Sequence, residues 1–127
     1  MLSFTSSLSP HCEAFVIFVT EKHNYKNKEN ILSNNVVQKI NSFLDVIKVK
    51  KKDEELSSFD VSNQQKCFII KVKNKYEDYY PQEIGGTLFS YIKKFKEIKK
   101  VEFYVDSLGF DKEKAVQFFS EFIFGFN

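Results

Sequence analysis

The sequence predicts a single α/β domain of three layers, α/β/α, with a partly parallel mixed sheet, and three observations predict it. The runs Ala14 to Val19, Cys67 to Val72 and Val101 to Val105 are almost continuously β-branched, aliphatic or aromatic, the character of strands buried on both faces. Between and after them lie segments whose apolar residues recur at three and four, the spacing of one helix face. Length bounds the count, because 127 residues suffice for one core and not for two.

In chain order, Leu2 to Thr5 is a weak first strand, broken by Ser9-Pro10-His11 before the buried strand Ala14-Phe-Val-Ile-Phe-Val19. Past the polar stretch His23 to Asn30, the residues Val36, Ile40, Phe43, Leu44 and Ile47 mark a helix with one apolar face. Ser33, Asn34 and Asn35 are its candidate N-caps, since their side chains accept from unpaired first-turn amides. Lys48 to Lys52 with Asp53, Glu54 and Glu55 read as a charged connector, and Leu56 to Val61 as a modest edge strand. The strand opening at Cys67 leads into a polar and aromatic loop, Lys73 to Tyr80, that closes on Pro81. Proline suits a first helical turn, whose amides have no intrahelical acceptor, and Ile84, Leu88, Ile92 and Phe95 continue from it as one stripe. After the third buried strand, Asp106 to Gly109 turns into a final helix with Asp111 as its cap.

Composition narrows the function classes. Hydrophobic residues at 43% with 28% charged describe a globular chain, neither disordered nor membrane-spanning. All 19 basic side chains are Lys, Phe occurs 15 times and Trp never, a skew that looks like AT-rich coding, so a lysine patch weighs little as a binding signal. Net charge of +2 points to neither nucleic acid nor an anionic membrane. The start lacks a positively charged n-region, and no run approaches the roughly 20 apolar residues of a membrane span. Cys12 in a polar loop and Cys67 at the head of a strand predict reduced thiols and a cytoplasmic protein.

The chemistry-bearing residues are sparse. His11 and His23 stand in different loops and belong to neither a His-Glu-x-x-His pattern nor a Cys-x-x-Cys pair, so no metal or other cofactor is expected on this chain. Cys67 reads as a small core residue, with no histidine near it in sequence to activate it. Gly85-Gly86 falls in the first turn of the helix at Pro81, where free amides can hold a phosphate; close packing of that turn on the sheet is the preferred reading, because the preceding loop lacks glycine. The lysines at 48 to 52 and Lys93, Lys94, Lys96, Lys99 and Lys100 interleave with acids and read as solvated faces. Asp45, Asp60, Asp78 and Asp106 are scattered, so no acid/base pair is expected and this segment catalyses nothing.

The last helix carries Ala115, Phe118, Phe119, Phe122 and Phe126 at helical spacing, widened by Ile123 and Phe124. An apolar face of that width needs covering. The expectation is that a second domain follows Asn127 in a longer protein and that Phe118, Phe122 and Phe126 are interface residues, with some self-association of the isolated piece.

From Asn35 to Asn127 the chain resembles the N-terminal domain of the leucyl aminopeptidase (cytosol aminopeptidase) family. The matching pieces are the helix ending Ser42-Phe-Leu-Asp-Val-Ile47, the strand Cys67 to Val72, Ile84-Gly-Gly86, the strand Val101 to Val105 and the closing Ala115-Val-Gln-Phe-Phe-Ser-Glu-Phe-Ile-Phe-Gly125. Where the family follows its buried strand with Gly-Leu-Gly, this chain has Lys71-Val72-Lys73. The resemblance implies a macro-domain-like fold and a parent enzyme that removes N-terminal residues from peptides with two divalent metals, Zn or Mn. It implies that the metal ligands and the Asn-Thr-Asp-Ala-Glu-Gly-Arg signature lie in a C-terminal catalytic domain, so no catalytic residue carries over to this chain. It further implies a role in hexamer assembly and active-site access. The alternatives are a stand-alone macro-like module for ADP-ribose or a related nucleotide, and a DNA-binding domain, the latter disfavoured by the missing arginine.

Overall fold

The computed structural model describes residues 2–4, 13–20, 25, 32–50, 55–73, 75–104 and 111–126. In chain order the elements are β1 (Leu2–Phe4), β2 (Ala14–Val19), α1 (Asn34–Lys50), β3 (Leu56–Ser62), β4 (Gln65–Lys71), α2 (Tyr80–Ile92), β5 (Val101–Tyr104) and α3 (Lys112–Phe126). Among the described residues the five strands form one sheet in the order β1-β5-β2-β4-β3. β1, β5, β2 and β4 run parallel, and β3 lies antiparallel at the edge.

β2 occupies the middle because every one of its side chains can be buried. Ala14, Val16 and Phe18 point to one face with Phe68 and Ile70 of β4 and Phe103 of β5, where Ile84, Leu88 and Ile92 of α2 and Phe118, Phe122 and Phe126 of α3 cover them. Phe15, Ile17 and Val19 point to the other face with Cys67, Ile69 and Tyr104, beneath Ile40 and Leu44 of α1. The strand period of two thus feeds two separate cores. This is the three-layer α/β/α arrangement with a mixed sheet that the buried strand pattern predicts.

β3 and β4 form a hairpin across Asn63-Gln64, where the Ser62 hydroxyl accepts from the Gln64 amide at 3.2 Å. The sequence reading found both strands without their antiparallel pairing. The register shifts between Asp60 and Ser62, and the bulged Val61 turns its carbonyl to the Lys39 ammonium at 2.7 Å, tying the edge strand to α1.

The helix starts follow the capping residues. Ser33 Oγ accepts from the Val36 amide at 3.3 Å, and Asp111 Oδ1 from the Lys114 amide at 2.8 Å. Two helix ends differ from expectation. α1 continues through Lys48 to Lys50 instead of stopping at the charged connector, because lysines are good helix formers and need no core contact to continue a helix. α2 stops at Ile92; Phe95 lies beyond it in tighter turns, with the Phe95 amide on the Ile92 carbonyl at 2.9 Å, yet still packs edge-on against Phe68 at 5.7 Å.

The larger correction concerns α3. Phe118, Phe122 and Phe126 are 1%, 0% and 5% exposed, so they are core residues and not a face left open for a partner. The sheet and α2 cover them: Phe122 meets Phe18 and Phe103 with ring centroids 5.5 and 5.8 Å apart, and Phe126 meets Phe103 at 5.3 Å. Phe124 does not widen that stripe but points outward, 73% exposed. Among the described residues no helix is long and apolar enough to cross a membrane.

Candidate functional site

Chain direction sets where a site can form. From β2 the chain passes to α1 on one face, whereas β4 and β5 are followed by α2 and α3 on the other. A change of face between neighbouring parallel strands opens a crevice outside their carboxyl ends, the place where open α/β sheets bind ligands. The segment between β4 and α2 lies at that edge. It carries Lys73, Lys75, Tyr76, Glu77, Asp78 and Tyr79, the loop whose aromatic and charged character was legible without a role attached.

Tyr76 is the centre of this region. Its ring packs on Tyr80 at 5.2 Å and edge-on against Phe118 at 5.7 Å, and the Lys114 ammonium lies over it at 5.5 Å. Tyr80 is anchored from the other side, its hydroxyl donating to the Lys71 carbonyl at 3.3 Å and its ring under the Lys73 ammonium at 5.4 Å. Burial first, and then the Glu121 carboxylate, push the Tyr76 phenol above its ordinary value of 10.0, so it remains a neutral hydrogen-bonding hydroxyl at physiological pH.

A cleft of about 680 Å³ opens between this loop and the first half of α3. α3 contributes Lys114, Gln117, Phe118 and Glu121, and the loop side contributes Lys75, Tyr76, Asp78 and Pro81. The α3 residues fall at i, i+3, i+4 and i+7, one helix face. A smaller hollow of about 500 Å³ on the other side of Lys75 and Tyr76 is bordered by Glu55, Glu77 and Glu83. The signal that could have revealed the cleft is the polar face of the last helix, Lys114, Gln117 and Glu121, which the apolar stripe overshadowed.

The residues singled out from sequence are not brought together. Cys67 is fully buried under α1, its thiol directed to the Phe68 carbonyl at 3.9 Å, and burial pushes it well above its ordinary value of 9.0, as expected of a core thiol. Asp60 pairs with Lys66 at 3.0 Å, Asp45 and Asp78 are exposed, and Lys93, Lys94, Lys96 and Lys99 are exposed beyond α2. His11, Cys12, His23 and Asp106 lie outside the described residues, as do Lys51, Lys52, Asp53 and Glu54. Among the described residues no group of three His, Cys, Asp or Glu side chains gathers as a metal site. Glu102 is 3% exposed in β5, and its presence inside an otherwise apolar strand is the signal the sequence offers for it.

Gly85 and Gly86 lie in the second turn of α2, not its first, so their amides are spent inside the helix and hold no phosphate there. Close packing is the reason for Gly85, but against α3 and not the sheet. A Cβ at Gly85 would run into the Phe122 carbonyl, and one at Gly125 into the Gln82 backbone, whereas one at Gly86 would meet the Gly125 oxygen at an ordinary 3.5 Å. No family model and no curated protein matches the sequence.

Proposed function

We propose that this chain is a non-catalytic accessory domain, the N-terminal domain of a two-metal leucyl aminopeptidase in which a separate catalytic domain supplies the metal ligands. One observation carries the reading. Two of the segments on which the resemblance rests, Ile84-Gly85-Gly86 and the helix closing at Phe124-Gly125, meet at a single helix crossing where the backbones leave no room for side chains. Glycines distant in sequence are accounted for by one architectural requirement, a helix crossing close enough to exclude a Cβ. In the parent the domain supports hexamer assembly and shapes access to the active site, in the cytoplasm. Its outward apolar side chains for that purpose are Val116 and Phe124 on α3 and Phe89 on α2, at 59%, 73% and 45% exposure. In such a parent two divalent metals, held by the catalytic domain, would supply activation of water and polarisation of the scissile carbonyl.

The test is the coding sequence past codon 127, together with assay of the native polypeptide captured from cells by an antibody to this domain. An open frame reaching the Asn-Thr-Asp-Ala-Glu-Gly-Arg signature, with metal-dependent release of N-terminal residues by the captured protein, is the expected result. A stop codon at that point, or a captured polypeptide without peptidase activity, overturns the reading.

A further inference from the structure

We propose that the cleft beside Tyr76 binds a small zwitterion, specifically a short peptide with both termini free. This goes beyond the accessory-domain reading and does not depend on it. The argument begins with charge. The cleft is lined by two ammonium groups, Lys75 and Lys114, and two carboxylates, Asp78 and Glu121. Two carboxylates beside two lysines repel a polyphosphate, so the lining does not suit a nucleotide diphosphate; it suits a ligand that carries one charge of each sign.

Spacing narrows the class. Lys114 and Glu121 are seven residues apart on one face of α3, about 10 Å along the axis at the rise of an α-helix. A single amino acid or a dipeptide holds its charges too close together to use both ends, whereas an extended tripeptide, at about 3.3–3.6 Å per residue, has a comparable reach. Gln117 lies between the two on the same face and offers one acceptor and two donors, the complement of a peptide group. The apolar wall of Tyr76 and Phe118 accommodates a side chain. A volume of about 680 Å³ accommodates such a peptide.

The geometry orients the ligand: its carboxylate toward Lys114 and its ammonium toward Glu121. Titration of the isotopically labelled protein with trialanine, followed by amide NMR, tests this. Saturable shifts confined to the cleft, including the amides of Lys75, Tyr76, Lys114, Gln117 and Glu121, are expected, with binding weakened at least about tenfold when the peptide is N-acetylated and C-amidated. Glu121→Gln should weaken trialanine by about tenfold while leaving N-acetyl-trialanine unchanged, and Lys114→Gln should weaken trialanine by about tenfold while leaving its C-amide unchanged. Unshifted amides elsewhere confirm that each variant is folded. The absence of saturable shifts up to about 20 mM trialanine, equal binding of the doubly blocked peptide, or stronger shifts of the same amides by AMP would overturn the proposal.

Discussion

Successive residues of β2 point to opposite faces of the sheet, yet the two cores they enter are built differently. Toward α2 and α3 the core is a network of phenylalanines, with Phe18 edge-on to both Phe118 and Phe122, and Phe103 in contact with Phe119, Phe122 and Phe126. Toward α1 it is mainly aliphatic, with Ile17, Val19, Ile40, Leu44 and Ile69 around Phe15 and Cys67. Two helices share the first face, and they fit only because Gly85 and Gly125 let their backbones touch. Among the described residues α1 is the helix that covers the second, and its side chains can adjust without displacing a neighbouring helix. The face that carries two helices is over-determined, so substitutions there should be felt more strongly than chemically similar ones under α1.

Truncation gives the largest expected contrast. Phe122→Ala empties the centre of the aromatic face and should cost about 4 kcal/mol in urea unfolding, against about 3 for Leu44→Ala under α1, where α1 can settle onto the sheet. A larger loss for Leu44→Ala would break the comparison. The helix crossing gives a sharper one. Gly85→Ala must displace the Phe122 carbonyl and should cost about 3 kcal/mol, while Gly86→Ala, with its Cβ in ordinary contact, should be neutral or stabilise by up to about 1 kcal/mol through helix propensity. Equal effects would show that the two helices are not in the close contact described.

Between pH 9.0 and 10.0, alkaline titration probes the α1 face, before the Tyr76 phenol on the other side begins to contribute. The Cys67 thiol is raised by burial, so above 9.0 the unfolded chain loses this proton while the folded chain keeps it, and stability falls as pH rises. One unit above 9.0 the expected loss is about 1.4 kcal/mol, and Cys67→Val should remove that component of the pH dependence. The smallest effects belong to the caps. Asp111→Ala and Ser33→Ala each remove one acceptor for a first-turn amide and should cost about 1 kcal/mol, Asp111 the more because its bond is shorter and its carboxylate faces the helix dipole.

Much of the architecture was legible. Continuous apolar runs at Ala14, Cys67 and Val101 identify strands buried twice over, and the caps Ser33 and Asp111 can be read because capping is local chemistry. Phe95 was misplaced for an instructive reason: it keeps the apolar spacing of α2, and hydrophobic spacing cannot tell a helical residue from one that reaches the same core after the helix has ended. The cleft was nearly invisible. Lys75 and Asp78 sit in one segment and Lys114 and Glu121 in another, and no local pattern joins them.

The sequence by itself determined which residues are apolar and with what period, and hence the order of strands and helices and the demand that the last helix be covered. Only the tertiary structure decided what covers it. Hydrophobic burial is non-directional, so the stripe of Phe118, Phe122 and Phe126 specifies that water be excluded without specifying by whom. That choice came from the backbone approach at Gly85 and Gly125, which seats α3 against α2 and turns the stripe onto the chain's own sheet.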